Sequence, residues 1–197
     1  EYEKAIDDIS IAVKLNPYAI HLKHEYISAL ILKGNINAAQ SYCDSLLALD
    51  SADITLLLYR SYIYYVNEEF AFAEDFANKA LLLNPQSAIG YDFLGNAYAR
   101  EGRFLDAEDA YSKAISLQSA FSIAYFNRSI VRQKLKRFEA AKNDLDSALA
   151  IDRSYAIAYF NRAVLHKMSN DYKAAELDLS KAIAIKPDFA EAFLNRG

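Results

Sequence analysis

AIAYFNRAVLHKMSNDYKAAELDLSKAIAIKPDF, residues 156–189, holds two apolar-periodic runs of helical length on either side of a short polar break. The pattern recurs. Moving back from Pro187 in steps of 34 residues gives Arg153, Ser119, Pro85, Ser51 and Pro17. Ala175 repeats in the same way at Ala141, Ala107, Ala73 and Ala39, and Ala182 repeats at Ala148, Ala114 and Ala80. A fixed period of this length, undisturbed by insertions, predicts a stack of helix–turn–helix units rather than one globular core. Neither helix of a unit could bury its apolar face alone, so stacking is what builds the core.

The register sets the expected boundaries. Residues 1–19 form the second helix of a truncated leading unit, and complete units occupy 20–53, 54–87, 88–121, 122–155 and 156–189. Residues 190–197 begin another first helix, so the sequence opens and closes in mid-unit and reads as an excerpt of a longer chain. Gly34 and Gly102 fall between the two helices of their units, where a left-handed cap is expected; Asn170 suits that place, and Glu68 and Lys136 suit it less.

The unit at 88 carries Tyr91, Leu94-Gly95 and Tyr98 on its first helix and Ala107, Tyr111 and Ala114 on its second, and a closing Pro falls at Pro17, Pro85 and Pro187. These landmarks resemble the tetratricopeptide repeat family, and the resemblance runs along essentially the whole chain. It implies an all-α fold, a right-handed superhelical solenoid of antiparallel helix pairs. Departures occur where Arg60, Arg128, Arg162 and Arg196 take the usual Leu position, where Ile27 takes the small position, and where Ser119 and Arg153 replace the Pro.

Composition narrows the function. A chain that is 53% hydrophobic with five Gly and three Pro has ample apolar surface to offset chain entropy. A net charge of −4 gives no support to a nucleic-acid partner, which calls for a concentrated basic face. No run reaches the length of a membrane span, so no membrane partner is expected, and the first residues lack the pattern of a signal peptide. A cytoplasmic setting is favoured. The single Cys43 excludes a disulfide framework and falls on the inward face of a second helix, where an inert buried thiol is expected.

No catalytic constellation emerges, and the expectation is a non-enzyme without cofactor or metal. His21 and His24 share a helix face but lack a compelling third ligand, and they read as solvated side chains. His166 takes a core landmark position. The acidic pairs Asp7-Asp8, Glu68-Glu69 and Glu108-Asp109 read as hydrated exterior charge. No Gly-rich phosphate loop or nucleophile elbow is present.

What remains is the first-helix stripe left over once the landmark positions have met the second helix; the resemblance implies that this stripe lines a concave groove. It comprises Leu58, Tyr59, Tyr62 and Tyr65; Ile89, Asp92, Phe93 and Asn96; Ile123, Phe126, Asn127 and Ile130; and Ile157, Phe160, Asn161 and Val164. Asn127, Asn161 and Asn195 lie one unit apart. Two readings compete: the apolar residues pack against neighbouring first helices while each Asn braces local backbone, or the amides hold the main chain of a guest peptide while the aromatics supply contact area.

Some members of the family clamp the acidic C-terminal tails of chaperones with three cations and two asparagines. The best frame here offers Asp92, Asn96, Asn127, Ile157 and Asn161, with every cation missing, so such tails are not expected to bind. The reading that results is an adaptor or scaffold whose partner is another protein or peptide segment. The alternative is a self-assembling element that associates head to tail through its truncated ends.

Overall fold

Helices α1 (Tyr2–Leu15), α2 (Ile20–Leu32), α3 (Ile36–Leu47), α4 (Ile54–Val66), α5 (Phe70–Leu83) and α6 (Ala88–Arg100) follow one another through the first half of the chain. The second half holds α7 (Phe104–Leu117), α8 (Ser122–Lys134), α9 (Phe138–Ile151), α10 (Ala156–Met168), α11 (Tyr172–Ile185) and α12 (Ala190–Arg196). The computed structural model describes residues 2–196, without the side chains of Tyr2, Glu3 and Ala5. The expectations for residues 1 and 197 therefore lie outside the described residues. Among those residues there is no strand, and no helix is long and apolar enough to cross a membrane.

The chain divides into two compact units, residues 1–97 and 98–197, with the boundary inside α6. Within each unit successive helices pack on one another, and connections of three to six residues make neighbours antiparallel. The first unit is built on Ile6, Ile27, Leu30, Cys43, Leu56 and Ile63. The second has a large cluster around Leu145, Tyr159, Leu165, Leu179 and Phe189, and a smaller one of Ala107, Tyr111 and Val131. The periodic alanines are what let the helices approach: Ala39, Ala73, Ala107 and Ala141 are fully buried, and so are Ala80, Ala114, Ala148 and Ala182.

The turn between paired helices is the same device five times. Gly34, Glu68, Gly102, Lys136 and Asn170 all have φ between 60° and 79°. The residue after each donates its amide to a carbonyl five back, as in Asn35 N–H to Leu30 O at 2.9 Å and Arg137 N–H to Arg132 O at 2.8 Å. This is the Schellman arrangement, and Asn35 and Asp171 go on to cap the following helix by accepting from Ala38 and Ala174. Glu68 and Lys136 occupy the left-handed place as fully as the glycines do.

A Cβ at Gly102 would meet nothing within 4 Å, so Gly102→Ala isolates the backbone term. It should lower the unfolding free energy by about 1 kcal/mol in urea titration. No loss at all would show that this turn relaxes out of the left-handed region.

The turns between units use side-chain oxygens instead. Asp50, Asn84 and Asp152 accept the backbone N–H two residues on, at 3.0, 3.1 and 2.8 Å. Arg153 can therefore replace a Pro without loosening the turn. At Asp152 the Ser154 hydroxyl, followed by the Ser154 amide, holds the carboxyl below its usual value.

Candidate functional site

In the first compact unit the stripe is a run of partly buried aromatic rings. The His24 ring meets Tyr59 edge-on at 6.3 Å, Tyr62 lies 6.4 Å from Tyr65 and 6.0 Å from Phe93, and Tyr65 lies 6.1 Å from Phe70. Burial raises the Tyr59 phenol above its usual value; a hydrogen bond with Ser28 opposes this, and the Glu25 charge adds to it. Tyr62, Tyr65, Phe93 and Asn96 line one narrow cleft with Ser61. Asn96 donates its amide to Asp92 Oδ2 at 3.2 Å, and Asp92 itself is buried.

His24 is not a solvated side chain. It is paired with Asp53 Oδ2 at 2.9 Å, while the other Asp53 oxygen accepts from Leu56 N–H at the start of α4. That pairing links α2 to the start of α4.

The second unit carries a different stripe. Ile123 and Ile157 are 49% and 45% exposed, Ile130 is 37% exposed, and Val164 is partly buried beside them. The position of Phe126 is corrected: it is only 8% exposed and packs 4.9 Å from Tyr155. Phe160 makes the corresponding contact one repeat later, 5.1 Å from Phe189, so this place in the stripe is filled by the chain's own rings. Asn161 donates to Ile157 O at 2.9 Å and Asn195 to Glu191 O at 2.9 Å, each bracing its own helix. Asn127, the first of that series, is partly buried.

The chain's strongest polar architecture lies at the Arg residues that depart from the family's Leu. Arg162 donates through Nε and Nη2 to both oxygens of Asp178 at 2.7 Å, and through Nη1 to Asp146 at 2.7 Å. Arg128 does the same one repeat earlier, bidentate to Asp144 at 3.0 and 2.7 Å and reaching Ser112 at 2.9 Å. Each arginine therefore ties the second helix of its own repeat to that of the preceding one, always to residues 16 positions away. The bond from Asp178 pushes the Arg162 guanidinium further above its usual range, against the effect of burial.

Glu108 is a third correction: it is buried, not hydrated exterior charge. Arg132 donates to it at 2.8 Å and Arg137 pairs with it, while Arg132 also reaches Asp144 at 2.9 Å. The acidic residue beside it, Asp109, is exposed.

Cys43 is fully buried and its Sγ donates to Leu56 O at 3.4 Å. Burial, reinforced by Asp44 and Asp53 and opposed by Arg60, pushes the thiol up to about 12, so it stays protonated. Among the described residues no three His, Cys, Asp or Glu side chains gather where they could hold a metal ion.

A family model described as tetratricopeptide repeat matches residues 89–121, 123–155 and 156–189, just over half of the chain. No curated protein matches the sequence. Among solved structures the chain is similar to YrrB, described as a TPR protein with an unusual peptide-binding site, at 22% identity and TM-score 0.64 over 94% of this chain and 96% of that one. TTC0263, a thermophilic TPR protein of Thermus thermophilus, is similar at 17% identity and TM-score 0.78, covering 90% and 97%. In the hetero-tetramer of the APC/C proteins Cut9 and Hcn1, one chain matches 99% of this chain at TM-score 0.89 and 15% identity, over 39% of its own length. These likenesses show the fold.

Proposed function

Because this chain belongs to the tetratricopeptide repeat family, we propose that it is a non-catalytic interaction module that holds an extended or helical segment of another protein along its first-helix stripe. The observation that carries this reading is periodic exposure. Ile89, Ile123 and Ile157 occupy one repeat position in three successive repeats, and each stays 45–49% exposed. Apolar side chains left in water at the same repeat position in each unit favour a partner that covers them. Asn161 and Asn195 brace their own helices, and a carboxamide held in this way still has capacity for a further hydrogen bond to a guest chain. The peptide-binding site reported for YrrB is in keeping with such a role.

Panning a random twelve-residue peptide library against the chain and measuring selected peptides by calorimetry tests the reading. The double variant Asn127→Ala/Asn161→Ala should bind them about tenfold more weakly, a loss of ~1.4 kcal/mol, with an unchanged urea midpoint. If the midpoint falls while affinity holds, the asparagines brace the fold and the reading fails.

A further inference from the structure

Charge is divided unevenly between the two compact units. Residues 1–97 contain six Lys and Arg against thirteen Asp and Glu, whereas residues 98–197 contain sixteen against thirteen. The first unit is thus strongly acidic and the second mildly basic. No Lys or Arg is among the residues of its aromatic stripe, and Lys23 stands on α2 next to His24. Arg60 is buried, Lys79 is paired with Asp75 at 2.6 Å, and Lys4 and Lys14 lie on α1.

On the stripe itself the Tyr62 ring lies 6.4 Å from Tyr65 and 6.0 Å from Phe93, and Tyr59 stands on the same helix with its ring 6.3 Å from that of His24. Glu25 is exposed near Tyr59, and the carboxylate of Asp92 is tied to Asn96 at the cleft that Tyr62, Tyr65 and Phe93 line. An aromatic face is negative, and a cation placed over it gains most where nearby carboxylates add to the field. A neutral apolar segment would gain only area from these rings, and an acidic one would meet repulsion along the whole unit.

Resting on the groove reading above, we propose that the stripe of the first unit takes a cationic segment of the partner, one that lays arginine or lysine side chains across Tyr59, Tyr62, Tyr65 and Phe93. The occupant is a peptide, since the rings it would meet stand on two helices, α4 and α6, more than a single side chain can cover. Its cations sit over ring faces and its charge matches the acidic unit.

The test uses three unlabelled dodecapeptides that alternate serine with arginine, glutamine or glutamate, titrated into the full chain by calorimetry. The arginine peptide should bind at least tenfold more tightly than the glutamine peptide, the glutamate peptide should not bind, and raising salt from about 50 to 200 mM should weaken the arginine complex. Tyr62→Leu/Tyr65→Leu and, separately, the exposed-site variant Glu25→Gln should each weaken it at least threefold. Asp7→Asn/Asp8→Asn, which removes exposed charge from α1, should change it less than twofold. If the glutamine or glutamate peptide binds as tightly and the stripe variants weaken it, the charge assignment is overturned while the groove reading stands. If the α1 variant weakens the arginine peptide as much as the stripe variants do, the attraction is diffuse and the assignment is overturned. If none of the three binds, the assignment is again overturned, and the library experiment decides the groove reading independently.

Discussion

Arg162→Leu should lower the unfolding free energy by about 3–5 kcal/mol, among the largest losses open to a single substitution in this chain. The cost comes from what remains. Asp178 has only 3% of its side chain exposed, and both of its oxygens accept from Arg162. Without the guanidinium, the other nitrogen group beside it is the His166 imidazole, whose Nε2 lies 3.9 Å away, beyond a hydrogen bond. A buried carboxylate would lose its counter-charge and two charge-assisted bonds together. Asp146, the third partner, is half exposed and returns to water at little cost. The double variant Arg162→Leu/Asp178→Leu should regain most of the loss, because replacing a whole buried pair by apolar side chains is close to neutral. Urea titration of the single and double variants measures the coupling. A single variant that loses less than about 1 kcal/mol would show that water reaches Asp178 and that the arginine pairs do not hold the repeats together.

The fold was legible because a period of 34 residues places small residues at the helix crossings whatever lies between them. Gly34 and Gly102 announced the left-handed turn. Glu68 and Lys136 did not, because the repeated backbone bonds that close the turn outweigh a strain of about 1 kcal/mol and leave no mark on side-chain type. The stripe was less legible. Phe126 and Phe160 occupy equivalent places among exposed isoleucines, and only the ring at the end of the same repeat, Tyr155 or Phe189, decides that they turn inward.

The role of the arginines was hidden for a different reason. Taken singly, each is a departure from an apolar landmark; taken with the residue 16 positions later, Asp144 follows Arg128 and Asp178 follows Arg162. That signal was present in the sequence, as was the charge imbalance between the two halves. Glu108 was obscured by Asp109: adjacent acids on a helix point about 100° apart, so one can be buried under Arg132 while the other faces water.

The same repeat position should respond with the opposite sign at Arg60. Here the residue 16 positions later is Phe76, not an aspartate, and the guanidinium lies 4.3 Å from the Tyr64 ring centroid and 5.5 Å from that of Phe76. Nη2 donates to Tyr64 Oη at 2.7 Å, but Nε and Nη1 are buried without a hydrogen-bond acceptor. Asp44 Oδ1 is 3.0 Å from Nε yet out of line for a bond, and its side chain is half exposed. Two ring faces, one charge-assisted hydrogen bond to a hydroxyl and a half-exposed carboxylate recover only part of the several kcal/mol of removing a guanidinium from water, because Nη1 is left without an acceptor. Methionine matches the length of the slot and keeps the ring contacts through its thioether. Arg60→Met should therefore raise the unfolding free energy by about 1–2 kcal/mol, while no carboxylate is left stranded because Asp44 reaches solvent. Equilibrium urea unfolding at matched ionic strength reads the change directly. A loss of stability would mean that the stacked rings and Asp44 hold this charge as firmly as Asp178 holds Arg162, and that burial of the arginine, not its pairing, is what this repeat position selects.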